Sequence, residues 1–199
     1  MLRILCSLFI LGSFFSYSQG PWELKKSKNG IKVYVREVPS SKIHEFKAVT
    51  LLNADFDEVV DLIKDGDNLK NWNYKTSDSK TIKVISPSER IIWMKNDLPW
   101  PVRNRDHVTH MKIERISEDE VKIWLMPDSS GTVPEKEGLV RIVDFNGYWL
   151  VKKVLGQVEV THQLFGDPNG KLPTWLLNTL LTKAPYTSFS NMKAQLSLE

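Results

Sequence analysis

A series of seven short β-type runs between Thr81 and Phe165 constrains the fold of this chain more than any other feature. Most of the runs are separated by Pro, Gly, Asp or Ser, which favour turns. The pattern predicts an antiparallel meander, with its strongest hairpin signal at Asn146-Gly147, where both residues tolerate a positive φ. The predicted strands are Thr81 to Ile85, Arg90 to Lys95, Val108 to Glu114, Val121 to Met126, Leu139 to Phe145, Tyr148 to Val154 and Val158 to Phe165.

Two strands and one short helix are predicted before this series. β-Forming residues are concentrated at 31–38 and 43–52. Asp55 is suited to cap a helix, because Glu58 follows it at the spacing of a capping box. Gly66 is expected to end that helix, whose apolar face consists of Phe56, Val59, Val60 and Ile63.

One long apolar helix is predicted after the strands. Pro173 suits its first turn. Pro185 predicts a kink or a break, because proline lacks an N–H and its ring clashes with the preceding turn. A long, curved antiparallel sheet around this helix is an α+β fold, and the space between sheet and helix is suited to a ligand. The apolar face of the helix consists of Trp175, Leu176, Leu177, Leu180, Leu181, Phe189, Met192 and Leu196.

The first 18 residues have the pattern of a secretory signal peptide. Arg3 precedes a mostly apolar run that is shorter than the roughly 20 residues of a membrane span, and Ser16-Tyr17-Ser18 supplies small residues at the cleavage positions. We expect cleavage after Ser18 and export to the periplasm or beyond; a retained anchor or a buried first helix is the alternative. Cys6 is the only cysteine of the 199 residues, so the mature chain forms no disulfide.

Charge and motifs argue against several classes of function. The formal net charge of +3 falls to +2 without Arg3, and no basic run with interleaved aromatic residues occurs, so nucleic acid is not an expected partner. His107 and His110 lie three apart on a predicted strand and face opposite ways, which makes them poor joint metal ligands. No nucleophile elbow, phosphate loop or Cys–His pair occurs. We therefore expect no catalytic residue, metal or cofactor.

Four motifs follow one another along the chain: Asn71-Trp72-Asn73, Leu98 to Asp106 (LPWPVRNRD), Gly138 to Arg141 and Gly170 to Leu176. Together and in this order they resemble the START (StAR-related lipid transfer) family. The resemblance covers roughly Trp22 to Leu198 and implies a helix-grip fold that binds one lipid or other hydrophobic molecule in a tunnel closed by the C-terminal helix and nearby loops. The loop 127–137 resembles the family's gating loop. We expect one monomeric domain, from residue 19 to 199, whose leucine-rich last helix contacts membranes transiently.

The expected ligand contacts come from the strands and from the last helix. Arg105 and Asp106 are adjacent on a strand and point to opposite faces, so a structural role is favoured over a contact with a ligand head group. Met111 stands where sterol-binding members of the family carry a cation, which argues against a sterol and for recognition by shape and apolar contact. The predicted pocket residues are Trp93, Thr109, Met111, Trp124, Leu177, Leu180, Phe189 and Met192.

Two other functions remain open from the sequence. The first is an enzyme of the same fold, similar to cyclases or hydratases, which requires a titratable group with a shifted pKa in the cavity. The second is a partner-binding module with a filled core, which a structure without a cavity would favour.

Overall fold

The computed structural model describes residues 20–39 and 41–197. The predicted signal peptide, its cleavage position and Cys6 lie outside this range. The helices are α1 (Phe56–Lys64), α2 (Leu69–Trp72), α3 (Thr174–Asn178) and α4 (Ala184–Leu196). The strands are β1 (Glu23–Lys28), β2 (Ile31–Arg36), β3 (Glu45–Leu52), β4 (Thr76–Ser86), β5 (Glu89–Asn96), β6 (Arg105–Ser117), β7 (Glu120–Pro127), β8 (Val140–Ile142), β9 (Asp144–Val154) and β10 (Gln157–Asp167).

The ten described strands form one curved sheet that grips the C-terminal helix, as the sequence predicts. The sheet has the order β1-β2-β3-β10-β9-β7-β6-β5-β4, and every neighbouring pair on this path is antiparallel. The short strand β8 pairs in parallel with β6. The single run predicted at 139–145 is therefore divided between β8 and the start of β9.

The hairpin predicted at Asn146-Gly147 is wrong. Both residues lie inside β9, opposite Phe165 and Leu164 of β10. Glycine is needed at position 147 because a Cβ there would lie 2.3 Å from the backbone oxygen of Gln163. Glycine is required here because β9 and β10 approach each other closely, and not because the chain turns.

Two tight turns with positive φ lie elsewhere. Asn29-Gly30 joins β1 to β2 with φ angles of 53° and 72°, and Leu155-Gly156 joins β9 to β10 with φ angles of 49° and 81°. Positive φ at both central residues is the geometry that matches the twist of paired strands. The sequence patterns missed β1 and its turn, because the charged segment before Asn29 has no apolar alternation.

The predicted helix cap at Asp55 is confirmed. One carboxylate oxygen of Asp55 accepts the backbone N–H of Asp57 at 2.8 Å and that of Glu58 at 3.2 Å. These bonds satisfy two of the N–H groups that the start of a helix leaves open. Gly66 follows α1, where a Cβ would lie 2.5 Å from Thr81 Oγ1, so glycine allows the chain after α1 to approach β4 closely.

The C-terminal helix is broken near Pro185, as predicted. A π-helical turn, Thr179–Lys183, separates α3 from α4, and Pro185 occupies the first turn of α4. The N–H of Ala184 donates to the carbonyl of Thr179, five residues back. The wider turn is an accommodation seen where the regular hydrogen-bond ladder is interrupted.

The main core lies between the inner face of the sheet and the helices α1, α2 and α4. Its fully buried side chains include Ile31, Ile63, Trp72, Phe189 and Met192. A smaller cluster of Ile91, Trp93 and Val108 lies on the opposite face of the sheet. The apolar residues of β5 are thus buried on both faces.

Candidate ligand-binding cavity

A cavity of about 440 Å³ lies between the inner face of the sheet, α2 and the C-terminal helix. Small-molecule sites in proteins usually measure roughly 300–1,000 Å³. The cavity occupies one end of the sheet, the end where β3, β4, β6 and β9 begin and β5, β7 and β10 finish. The register fixes this arrangement, since Asn96 pairs with both Thr76 and Arg105, and Leu164 pairs with both Phe46 and Gly147.

Most of the cavity wall is apolar. Its aromatic side chains are Phe46, Trp72, Tyr74, Phe145 and Trp149. Its aliphatic and thioether side chains are Ile43, Ile63, Leu69, Ile92, Met94, Leu98, Met111, Leu125, Ile142, Leu164, Leu177, Leu180, Leu181 and Ala184. A wall of this composition favours an apolar ligand, because burial of apolar surface is the main attraction that it offers.

Half of the predicted pocket residues line the cavity. Thr109 and Met111 reach it from β6, and Leu177 and Leu180 reach it from α3 and the π-helical turn. Alternate residues of a strand face opposite sides, and the inner set of β6 therefore also includes Arg105 and His107. Contact between these side chains and a ligand remains a prediction.

Trp93 does not line the cavity, because it has the opposite parity on β5. It pairs with Val108 and packs with it on the outer face of the sheet. The indole N–H of Trp93 donates to Asp106 at 2.8 Å, and the Lys136 amine lies 3.5 Å from the centre of its ring. Ile92 and Met94 hold the inner positions instead.

Trp124, Phe189 and Met192 also lie away from the cavity. Trp124 lies on the outer face of β7, where its indole N–H donates to Glu114 at 2.9 Å and Lys122 covers its ring. Phe189 and Met192 are fully buried in the main core, deeper along α4 than the cavity. Their spacing on the helix identified an apolar face, but it did not show where the core ends and the cavity begins.

An aromatic stack in the cavity wall was not predicted from the sequence. The ring of His162 lies parallel to that of Trp149, with centroids 3.7 Å apart and an angle of 8° between the planes. Phe46 meets His162 edge-on at 5.1 Å. Both His162 and Trp149 occupy inward positions of long strands, at alternate spacing from the buried Val160 and Val151. This alternation along the strands was the feature of the sequence that could have placed both residues on the inner face.

Two histidines in the wall are held in the neutral form. Burial lowers the pKa of His162 from 6.5 to about 3. Burial also lowers the pKa of His107 to about 4, although the nearby Asp106 carboxylate opposes the shift. A ring nitrogen of His107 is 2.9 Å from the Thr109 hydroxyl, whereas Nε2 of His162 has no hydrogen-bond partner among the residues that the structure describes.

Arg105 and Asp106 face opposite sides of the sheet, as predicted. Arg105 lines the cavity and donates to the backbone oxygens of Pro168 at 3.3 Å, Asn169 at 3.1 Å and Arg103. Burial and the neighbouring Arg103 lower the pKa of Arg105. Asp106 lies on the outer side and accepts two hydrogen bonds of 2.8 Å from Arg141. Both side chains thus form hydrogen bonds with protein groups at the point where the turn meets the strand.

The loop 127–137 lies on the outer face of the sheet and not at the cavity. Arg141 donates to the carbonyls of Val133 and Pro134, each at 3.1 Å. Val133 also packs on the cluster around Trp93. None of the residues 127–137 lines the cavity, so the structure does not place this loop where the resemblance predicted a gate.

Within residues 20–39 and 41–197, no group of three or more His, Cys, Asp or Glu is arranged to hold a metal ion. His107 lines the cavity while His110 faces outward and contacts Glu89 at 2.5 Å, which agrees with their predicted opposite orientation.

The same described part of the chain contains no helix with the length and apolar character required to cross a membrane.

Comparison with known proteins identifies relatives along most of the chain. A family model described as START domain matches residues 16–197. An uncharacterised protein of Pseudomonas aeruginosa is 31% identical over 174 residues, which are 87% of this chain and 85% of that protein. The phosphatidylcholine transfer protein of Mus musculus is 24% identical over 79% of this chain and 75% of its own length. The solved structure of a STAR-related lipid transfer protein from Xanthomonas axonopodis is 30% identical, with a TM-score of 0.81 over 88% of this chain and 98% of that chain.

Proposed function

The chain belongs to the START domain family, and on this premise we propose that its cavity binds one lipid or other hydrophobic molecule without changing it chemically. The observation that carries the proposal is the apolar cavity of about 440 Å³ between sheet and helix. The bacterial relative of known structure is named as a lipid transfer protein, which supports a lipid as the class of ligand. A partner-binding module with a filled core does not require such a space.

The pKa values of His107 and His162 support binding rather than catalysis at these two residues of the cavity wall. A general acid or base works best with a pKa near the operating pH. Burial instead lowers the pKa of His107 to about 4 and that of His162 to about 3. At neutral pH both rings are therefore neutral and weakly basic, which suits a ligand wall better than a proton-transfer site.

Filling the cavity is expected to weaken lipid binding. Leu180 is half-buried and reaches the cavity from the π-helical turn, so Leu180→Trp places a larger ring in the space of the ligand. We expect lipid binding to fall by at least about tenfold, the equivalent of 1.4 kcal/mol. Native mass spectrometry of the purified protein and titration with lipid measure the effect.

The matched control for this experiment is Leu24→Trp. Leu24 lies on β1 and is 51% exposed, away from the cavity. Wild type and control should each carry one lipid per protein. Full lipid loading of a folded Leu180→Trp variant would show that the ligand lies elsewhere, and recovery of a chemically converted lipid would favour the enzyme.

We further propose that the first part of the C-terminal helix opens to admit the ligand. Side-chain hydrogen bonds from Thr174–Lys183 stay within that segment among the described residues. By contrast, α4 is tied to the chain after α2: the Ser188 hydroxyl accepts the Tyr74 N–H and donates to Asn73, and Asn191 donates to the Trp72 carbonyl. Opening at the π-helical turn before Pro185 would present Leu177, Leu180 and Leu181 to a membrane surface.

Lipid loading is expected to slow hydrogen exchange in residues 174–184 and to leave β1, which does not line the cavity, unchanged. A segment with few anchoring contacts opens at low free-energy cost, and a ligand packed beneath it raises that cost. Pro185→Ala restores a backbone N–H and should slow lipid exchange between protein and vesicles. Equal protection of 174–184 with and without lipid, together with an unchanged exchange rate in Pro185→Ala, would rule out the opening.

Export of the protein is also proposed, on the sequence pattern alone. Arg3, the short apolar run and the small residues before position 19 have the order of a cleaved signal peptide. N-terminal sequencing of the protein recovered from its host tests the proposal, and a chain that still begins at Met1 would refute it.

A further inference from the structure

We propose that the ligand is an amphiphile with an anionic head, a carboxylate or a phosphate monoester, and that its head lies near Lys42, Lys75 and Arg105. The inference rests on the proposed lipid binding and names the ligand class of that same cavity. It is carried by the charges of the cavity wall, by the burial of Arg105 without a carboxylate partner in the described chain, and by the apolar character of the rest of the wall.

The charge of the cavity wall is entirely positive among the residues that the structure describes. Lys42, Lys75 and Arg105 line the cavity, whereas no Asp or Glu does. Within the described ranges, neither lysine amine has a carboxylate at ion-pair distance, although other lysines such as Lys64 and Lys152 have one. The wall therefore attracts an anion and offers no compensating charge to a cation.

The three cations converge on the cavity from distant parts of the sheet. Lys42 precedes β3, near one edge of the sheet, and Lys75 precedes β4, which forms the other edge. Arg105 begins β6 between them. All three lie at the end of the sheet where the cavity is located, and its curvature brings both edges to the same space. Lys42 and Lys75 are exposed, so they suit the rim of the cavity.

Arg105 provides the buried part of this cationic wall. Only 5% of its surface is exposed, and its guanidinium donates solely to backbone oxygens, with no carboxylate at ion-pair distance in the described chain. A buried cation is costly unless a counter-charge compensates for its lost hydration. An anionic ligand head would supply that charge, whereas a zwitterionic head would bring a cation of its own.

The rest of the cavity wall is suited to the apolar part of such a ligand. The cavity measures about 440 Å³, within the range of roughly 300–1,000 Å³ of small-molecule sites. Its wall formed by Ile63, Leu69, Trp72 and Trp149 is apolar and is suited to enclose a hydrocarbon chain.

The experiment compares four ligands on delipidated full-length protein at low ionic strength. Palmitate and 1-palmitoyl lysophosphatidate are the anionic probes, hexadecanol is the uncharged probe of equal chain length, and dipalmitoyl phosphatidylcholine is the zwitterionic probe. The tryptophans in the wall, Trp72 and Trp149, report binding by fluorescence. We expect at least one anionic probe to bind tenfold or more tightly than hexadecanol and phosphatidylcholine, and the stronger of the two identifies the head as carboxylate or phosphate.

The variant Lys42→Gln/Lys75→Gln is expected to lower the affinity for the stronger anionic probe about fivefold to tenfold, the combined effect of two exposed ion pairs. Its affinity for hexadecanol should not change. The matched control is Lys80→Gln/Lys83→Gln, which removes the same charge from exposed positions of β4 outside the cavity wall.

Two patterns of results would overturn the inference while lipid binding stands. One is equal or tighter binding of hexadecanol or phosphatidylcholine, and the other is an unchanged affinity for the anionic probe in the Lys42→Gln/Lys75→Gln variant. Absence of binding for all four probes would also overturn the inference, and the proposed function itself is refuted if native mass spectrometry of the purified protein finds no lipid either.

Discussion

Asp106→Ala is expected to lower the free energy of unfolding by about 3–5 kcal/mol, the usual cost of removing one partner of a buried ion pair. Asp106 is 1% exposed and accepts hydrogen bonds of 2.8 Å from Arg141, through two nitrogens, and from the indole of Trp93. Burial would raise the pKa of Asp106, but these hydrogen bonds and the Arg141 charge outweigh it and hold the pKa below its usual value. Without the carboxylate, the Arg141 guanidinium loses its ion-pair partner in the described chain and keeps only the weaker attraction of Glu135.

The same substitution is expected to loosen the loop 127–137. Arg141 holds the loop through the carbonyls of Val133 and Pro134, and Asp106 fixes the orientation of Arg141. Urea unfolding measures the stability, and trypsin cleavage at Lys136 measures the release of the loop. Asp119→Ala is the matched control, because Asp119 contacts Lys153 at an exposed position and such pairs contribute about 0–1 kcal/mol. A loss for Asp106→Ala as small as that of the control would contradict the buried pair.

The position of Asp106 also shows why the sequence revealed the fold more completely than the cavity. Its adjacency to Arg105 was enough to predict opposite faces, because strand parity is a local property. Which of the two faces points inward depends on residues that are distant in the sequence. Strand β5 is apolar at Ile91 and Trp93 as well as at Ile92 and Met94, since the loop 127–137 covers the outer face and creates a second small core. The large aromatic side chain of Trp93 then made it the preferred candidate for the inner face. The prediction therefore placed Trp93 inside, whereas Ile92 and Met94 hold the inner positions.

The prediction of turns from dipeptides has the same limit, because distant parts of the backbone decide the conformation. Asn29-Gly30 and Asn146-Gly147 are the same dipeptide, yet one forms a hairpin and the other lies within a strand. The difference arises from β10, whose backbone approaches Gly147 too closely for a side chain. The cationic wall was likewise invisible in the sequence, because Lys42, Lys75 and Arg105 meet only after the sheet curves. The cap at Asp55 and the break near Pro185 were predictable because each depends on a few neighbouring residues.

Acidification from pH 7 to pH 5 is expected to lower the free energy of unfolding by about 2 kcal/mol through His107 and His162. The folded-state pKa values, about 4 and about 3, lie below the ordinary value of 6.5. The unfolded chain therefore binds more protons than the folded chain within this window, and the stability present above pH 6.5 is lost as the pH falls toward 4. Full burial would give about 2 kcal/mol for each ring at pH 5, but both rings border the cavity and are only half-buried, so solvent in an empty cavity reduces the sum.

Urea unfolding of the delipidated protein at pH 7, 6 and 5 measures this dependence, and His162→Phe identifies its source. Phenylalanine retains an aromatic ring against Trp149 and removes the titrating nitrogen, so the loss between pH 7 and pH 5 should fall to about half. His107→Phe/His162→Phe should remove most of it. Asp106 does not obscure the result, because its pKa lies below the usual 3.8 and its stabilising charge is lost only at a pH lower than this window. An unchanged loss of stability in the double variant would show that the two rings are not held neutral by the fold.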